Sequence, residues 1–543
     1  MSGRPSRTVK RPLRFIEEDS DLEDASSELS AYSSDEESSS DSVLSSDEQP
    51  SCSGPSHGDI PPRGRGRCRG RGPQGSAHHS PPHQRWKTMD DSDEAAPTPP
   101  RFFPKRPPGV QLPFNLGNPS PGEIFCRFVD AEVLQHLVEC TNKKAATNQE
   151  KGKTFVWTPV STDELKKFIG LLLYMSVVQM PQLSDYWRQG TIFHQPYPAT
   201  VMSRDRFRLI LSNLYMSDPK ADAENDAMKG TENYDPIHRV RSLLNMVRMR
   251  CLSFYHPKQH LAVDERMVAT KARLGIKQYM KAKPTKWGLK LFVLADVNGY
   301  TVNYILYTGK GTTPVSGNGL SFDVVVELVK KEHLGTGYII YTDNFYTSPL
   351  LFRHLIQEGF GVCGTYREGR IGVPKTKENA LDKRASRGSI RWIRDGDLLF
   401  IKWKDTREVS LCSSVHPVYS GDMVERWQKT GEQHRRVSIP RPTAVTEYNK
   451  YMGGVDTSDQ MLGTRSVHRK TKRWTTTVFQ HLVDICVTNS FIIHKEVCAN
   501  QQQAHMTRQQ FQEELTAHLL GTPLKLQYVR ISGESLQTLA EFS

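Results

Sequence analysis

The chain has 543 residues, more than a single average domain, and its 72 Lys+Arg against 60 Asp+Glu leave a formal net charge of +12. Nine scattered cysteines without a CxxC pair imply neither a disulfide framework nor a zinc ribbon, and reduced thiols are expected. The longest apolar run, Phe168–Met175, is too short to span a bilayer, and the first residues lack a signal peptide's apolar core, so a soluble intracellular protein is expected.

Charge is divided unevenly. Residues 1–100 hold 12 basic and 18 acidic residues, a net of −6, and the other 60 basic and 42 acidic residues leave +18 for the body. A basic body suits a polyanionic partner such as nucleic acid, and equally a merely basic soluble protein.

In chain order, residues 17–48 come first, with 13 acids, 12 serines and no Lys or Arg. Such a segment cannot bury enough apolar surface to offset its chain entropy, which predicts disorder. Ser33, Ser34 and Ser38 to Ser40 lie beside acids, as phosphorylation sites or as part of a solubilising tail. Arg63 to Gly72 alternates five arginines with small residues, a strip fit for phosphate binding, nuclear import or pairing with the acidic tract. A Pro-rich linker, Pro97 to Pro113, completes a tail assigned to residues 1–110.

Residues 111–258 read as an all-helical region. Ser161-Thr-Asp-Glu164 forms a predicted capping box ahead of the stripe Leu165, Phe168, Ile169, Leu172 and Leu173. Further helices are expected over Ser203–Leu214 and Ile237–Tyr255. Beyond residue 259 the pattern turns to strands at 261–268, 289–297 and 302–308, with Asn298-Gly299 as a hairpin turn. A helix (Ser321–Glu332), a strand (Tyr338–Thr342), a helix (Ser348–Glu358) and a strand (Gly361–Tyr366) follow. This β-β-β-α-β-α-β order predicts an α/β protein with an RNase H-like core: its first part 259–366, a β-rich insertion 367–445, and its last part 446–500. Residues 501–543 read as a C-terminal tail.

Asp264 lies within the first strand and Asp343 at the end of the fourth, its neighbour in that fold. A carboxylate beside a buried strand is costly unless paired or bound to metal. Asp456 and Asp459 share one face of a helix that follows Gly453-Gly454, glycines that allow close backbone approach. Each acid alone reads as a turn, cap or helix-start residue; their combination with the strand order points to Mg²⁺ or Mn²⁺, two ions, acting on a phosphodiester.

Val-Asp264-Glu, Lys283-Pro-Thr-Lys-Trp-Gly-Leu-Lys290, Thr342-Asp-Asn-Phe-Tyr-Thr-Ser348 and Met452-Gly-Gly-Val-Asp-Thr-Ser-Asp-Gln460 resemble the signature blocks of the piggyBac transposase family, as do Met202–Phe207 and Asn489–Ile493. The resemblance covers roughly 110–500. It implies Asp264, Asp343 and Asp456 as catalytic aspartates, and Asp459 as a further acidic residue of the site. It also implies cut-and-paste transposition at TTAA on double-stranded transposon ends, a homodimer, a helical N-terminal region serving dimerisation and DNA binding, and action in the nucleus. Lys281, Lys283, Lys286, Lys290, Arg465, Arg469, Lys470, Lys472 and Arg473 are the expected phosphate contacts. Tyr346 is a candidate for stacking on bases; Trp287 reads as packed or stacking.

One departure stands out. After Cys498 there is no cysteine, so the family's C-terminal zinc module is not expected, and Cys486, His494 and Cys498 read as buried residues of one helix. That leaves open a domesticated descendant, either retaining catalysis or acting as a non-catalytic DNA-binding or chromatin protein. A nuclease for RNA–DNA hybrids is a third reading, disfavoured by the blocks outside the core.

Overall fold

The computed structural model describes residues 85–522 apart from 94–97, 114–116, 282, 310 and 431–432. The acidic serine tract and the Arg-Gly strip lie outside the described residues.

The helical region contains α1 (Pro121–Phe128), α2 (Ala131–Glu150), α3 (Thr162–Val177), α4 (Arg204–Asn213), α5 (Pro219–Ala227) and α6 (His238–Phe254). In α3 the predicted stripe is buried, and the Ser161 hydroxyl accepts from the Glu164 N–H at 3.2 Å. The second half of the expected capping box is missing. The Glu164 carboxylate instead takes a two-pronged bond from Arg206 at 2.7 and 2.6 Å, tying α3 to α4. A charged fork outcompetes a single backbone N–H for the same carboxylate.

The β-β-β-α-β-α-β succession is present as β1 (His260–Ala269), β2 (Trp287–Asp296), β3 (Thr301–Leu306), α7 (Leu320–Leu328), β4 (Ile339–Thr342), α8 (Pro349–Gln357) and β5 (Gly361–Thr365). Their spatial order is 3-2-1-4-5: β1 to β3 are antiparallel, and β4 lies parallel between β1 and β5. Gly299 makes the β2–β3 turn with φ +88°, a conformation that favours glycine. β4 and β5 are buried on both faces, as parallel strands are. Ile340 and Val362 join the larger core, and Ile339, Tyr341 and Cys363 a smaller one behind the sheet.

Residues 367–445 read as an inserted subdomain, yet three of their strands continue the same sheet. β8 (Glu408–Ser413) pairs antiparallel with β5, then β7 (Leu398–Lys404) and β6 (Ile390–Asp395) follow outward. The reason lies in Trp392, Leu399, Ile401, Trp403 and Leu411, whose apolar faces need the smaller core as much as it needs them. The hairpin β9 (Met423–Thr430) and β10 (Gln433–Pro440) forms a separate two-stranded sheet.

Two segments assigned to tails belong to the fold. Lys87–Thr88 pairs with β6, Trp86 is 1% exposed with its indole N–H bonded to the Thr376 carbonyl at 3.0 Å, and Asp93 receives Arg394 at 2.5 and 2.7 Å. Phe103–Pro104 and Gly109–Val110 also pair with other segments. Isolated two-residue strands carry no periodicity, which is why composition alone suggested a linker.

At the other end α9 (Thr443–Tyr451), α10 (Gly454–Gly463), α11 (Trp474–Asn500) and α12 (Arg508–Leu520) follow. α11 is buried nearly all round, with Cys486, His494 and Cys498 among its interior residues. α12 buries Phe511, Leu515, Leu519 and Leu520 in the main core, so the segment assigned as a C-terminal tail from 501 contains a packed helix. No helix among the described residues is long and apolar enough to cross a membrane.

Candidate active site

β1 and β4 run side by side in parallel, with Thr342 opposite Val263, so Asp264 and Asp343 emerge at the same level. A carboxylate oxygen from each of Asp264, Asp343 and Glu265 lies within 4.8 Å of the others. Asp264 accepts the Glu265 N–H at 2.7 Å and faces the Lys283 ammonium at 3.4 Å. Asp343 accepts the Phe345 N–H at 2.8 Å, in a turn that Thr347 closes by donating to the Asp343 carbonyl at 2.8 Å. Ser348 then caps α8 through the Leu351 N–H.

These acids are short of compensation. Burial pushes Asp264 up to about 6, although Lys283 and the Glu265 N–H pull it back. Burial likewise raises Asp343; the turn N–H of Phe345 opposes it, and the Asp264 charge adds to it. Hard oxygen donors that are crowded and partly desolvated are the donor set of a divalent ion such as Mg²⁺ or Mn²⁺. Asp264 and Asp343 would hold it, and the chemistry of the residues present fits.

Glu265 was not singled out in the sequence. As Asp264's neighbour on a strand it should face the other way. Its carboxylate is 4% exposed and paired with Lys290 at 3.2 Å, whose ammonium rests over the rings of Phe292 and Phe345. No periodicity argument could have found it; only the adjacent acid pair hinted at it.

α10 docks across β1 and β2. Its break from α9 falls at Met452-Gly453, and a Cβ on Gly454 would stand 2.7 Å from the Asp296 carbonyl oxygen, so the expected close approach is there. Asp456 and Asp459, both expected as metal ligands, are not in that group of three carboxylates, and the two part company. Asp456 is exposed, and its charge, after that of Asp264, helps raise the Lys283 ammonium against the opposing effect of burial. Asp459, expected as a metal ligand, is instead bound by the buried Arg266 at 2.5 Å, and Arg266 also donates to Ser458 at 2.8 Å. A guanidinium that is 2% exposed requires a fixed anion, and Asp459 supplies it.

A family profile described as Transposase IS4 matches residues 120–491. Human PiggyBac transposable element-derived protein 3 is 28% identical over 385 residues, covering 69% of this chain and 61% of that protein. The chain belongs to the piggyBac-type transposase family. Human PiggyBac transposable element-derived protein 5 is 24% identical over 441 residues, 78% of this chain and 79% of the relative. The chain thus spans about three-fifths of the first relative's length. A solved structure of a piggyBac transposase synaptic complex with hairpin DNA shares the fold, with a TM-score of 0.63 at 24% identity, over 80% of this chain and 87% of its own.

Within this piggyBac-type chain the expected DNA contacts divide. Lys281, Lys286, Lys470 and Lys472 are exposed, and Lys283 sits at the acids. Arg469 donates to the Tyr186 hydroxyl at 2.6 Å, and Arg473 to the carbonyls of Leu211, Ser212 and Leu214 at the end of α4. Arg465 donates to Gln509 at 2.5 Å, and Lys290 is taken by Glu265. Those four secure the fold rather than offering free cations. Tyr346 is corrected outright: it is 0% exposed, packed edge-on against Phe292 and Phe345, and cannot stack on a base. Trp287, by contrast, is 56% exposed.

Proposed function

We propose that this protein is a metal-dependent DNA strand-cleavage and strand-transfer enzyme, a piggyBac-type transposase or a domesticated descendant retaining the catalytic aspartates, acting as a homodimer on double-stranded transposon ends and TTAA targets in the nucleus. The reading rests on one observation above others: Asp264 and Asp343 meet on adjacent parallel strands with too little compensation for their charge. The 3-2-1-4-5 strand order supports an RNase H-like core.

Asp264, Asp343 and Asp456 are the catalytic aspartates, and Asp459 positions the helix that bears Asp456. Two divalent ions would supply Lewis-acid charge at the phosphodiester and acidify the attacking water or 3′-hydroxyl. The chain's own groups do the rest. Lys283, beside Asp264 at 3.4 Å, would pair with the substrate phosphate. Tyr346, the tyrosine that follows the Asp343 turn, is sealed from solvent and its phenol held well above its ordinary pKa by burial, so it does not serve as a covalent nucleophile. Water or a 3′-hydroxyl attacks directly.

A second reading, DNA binding without cleavage, draws on the Lys283–Asp264 pair, which places an internal cation against the acid cluster. The two are separated by incubating the full chain with TTAA-containing duplex and Mg²⁺ or Mn²⁺. Asp343→Ala is expected to abolish cleavage and leave DNA binding largely intact. Equal cleavage by the variant defeats the catalytic reading.

A further inference from the structure

Between β1 and β2 the chain runs out and back through residues 270–287, a segment with six cations (Lys271, Arg273, Lys277, Lys281, Lys283 and Lys286) and no acid. Its short strand Gln278–Tyr279 pairs with the start of β2, setting Tyr279 directly opposite Trp287. The two rings lie 4.9 Å apart, are 50% and 56% exposed, and carry Lys277 at 5.6 Å from the indole. Lys271, Arg273, Lys281 and Lys286 are exposed and have no acidic partner among the described residues. Elsewhere in this sheet Tyr341, Trp392 and Trp403 are buried in the smaller core and Tyr304 in the larger. This pair is left in solvent.

Register fixes the distance to the acids. Asp264 lies five residues along β1 from Ala269, which pairs with Gly288, roughly 17 Å at the usual strand rise. Lys283, which lies between the two rings in sequence, touches Asp264 at 3.4 Å. Cations therefore stand at both ends of that path, Lys283 at the acid cluster and Lys277 beside the open aromatic faces. The path's length matches about five nucleotides of stacked strand at the rise of about 3.4 Å per residue of one strand.

We infer that Tyr279 and Trp287 form a stacking platform for unpaired bases of the DNA strand at the acid cluster, with the surrounding lysines and Arg273 holding its phosphates. Aromatic faces among cations fit unpaired nucleic acid, because every base has a π-face while a closed duplex hides its own. An uncharged or basic protein surface would meet repulsion or no complement here. The inference rests on the DNA-cleavage reading above and adds a substrate feature to it: strand opening next to the cut.

The test uses the full chain with EDTA at fixed salt, so that binding is read without cleavage. Two probes are compared: a blunt duplex, and the same duplex with a four-nucleotide single-stranded overhang carrying 2-aminopurine. The wild type should bind the overhang probe more tightly and quench its fluorescence. Trp287→Ala should weaken that binding by roughly tenfold or more and abolish quenching, with the blunt duplex changed by less than about twofold. Trp287→Phe should restore most of both, and Tyr279→Ala should show a smaller loss. Both rings are exposed, so an unchanged melting temperature is expected and confirms that the variants fold. Unaltered quenching in Trp287→Ala, or equal weakening on both probes, overturns the platform while the cleavage reading stands. If the wild type binds neither probe, the DNA reading falls and the platform with it.

Discussion

Asp343 and Asp296 both close buried strands of one sheet, and they have opposite surroundings. Asp296 is 1% exposed and accepts the Tyr255 hydroxyl at 3.1 Å, the Lys258 N–H at 2.9 Å and the Val297 N–H at 2.6 Å. Asp343 has the N–H groups of its own turn and, close by, two further carboxylates. Burial raises the pKa of both, so burial alone does not separate a structural acid from a working one. What separates them is satisfaction: one carboxylate is surrounded by donors, the other by its own kind.

The largest effect that tests this contrast is on chemistry. Asp264→Asn or Asp343→Asn is expected to lower cleavage by on the order of a thousandfold or more while leaving the metal-free melting temperature unchanged or higher, since like charges are removed. A variant that cleaved normally, or lost stability instead, would erase the distinction. Next comes the ion pair beneath α10. Arg266 is almost fully buried and Asp459 only partly, so Asp459→Asn should cost about 2–3 kcal/mol in denaturant unfolding, below the 3–5 kcal/mol of a fully buried broken pair. Arg266→Met combined with Asp459→Met should recover much of that loss, because no orphan charge remains.

Asp296→Asn sharpens the comparison from the other side. An amide nitrogen set among donors should destabilise the protein by about 1–3 kcal/mol, with cleavage per folded molecule preserved. The smallest effect is on pH. Because burial holds Asp264 at about 6 in the folded chain, above its ordinary value, the stability it lends is full below the unfolded pKa and lost as pH rises through about 6. Metal-free wild type should therefore fall in melting temperature from pH 4 to pH 7 more than Asp264→Asn does. Mg²⁺ or Mn²⁺ should raise the wild-type value at pH 7.5 and do so much less at pH 5, where protons compete for the same oxygens. Identical pH profiles for the two proteins would show that Asp264 is not strained by burial.

Much of this was legible beforehand because long patterned segments announce themselves: the stripe of α3, the strand-like runs of β1 and β2, and one helix carrying Cys486, His494 and Cys498 all appear where the pattern places them. Asp264 and Asp343 could be paired in advance, since neighbouring parallel strands bring their ends together. Asp459 could not be separated from Asp456, because helical spacing says that two residues share a face and nothing about what stands beneath it. The aromatic assignments traded places for a similar reason. Tyr346 follows the acid-bearing turn inward, whereas Trp287 begins a strand beside Tyr279 with 56% of its surface open, and sequence reports neither surrounding. Trp86 and the pairing of Lys87–Thr88 depend on contacts about three hundred residues away, beyond any local signal.

The clasp between Arg266 and Asp459 also bears on ancestry. An acid that anchors a buried guanidinium would persist in a lineage long after it had stopped cutting DNA, because losing it harms folding. Asp343 brings no such reward and stands among repelling neighbours. In a retired descendant it would be free to drift, whereas Asp459 would be held in place by Arg266.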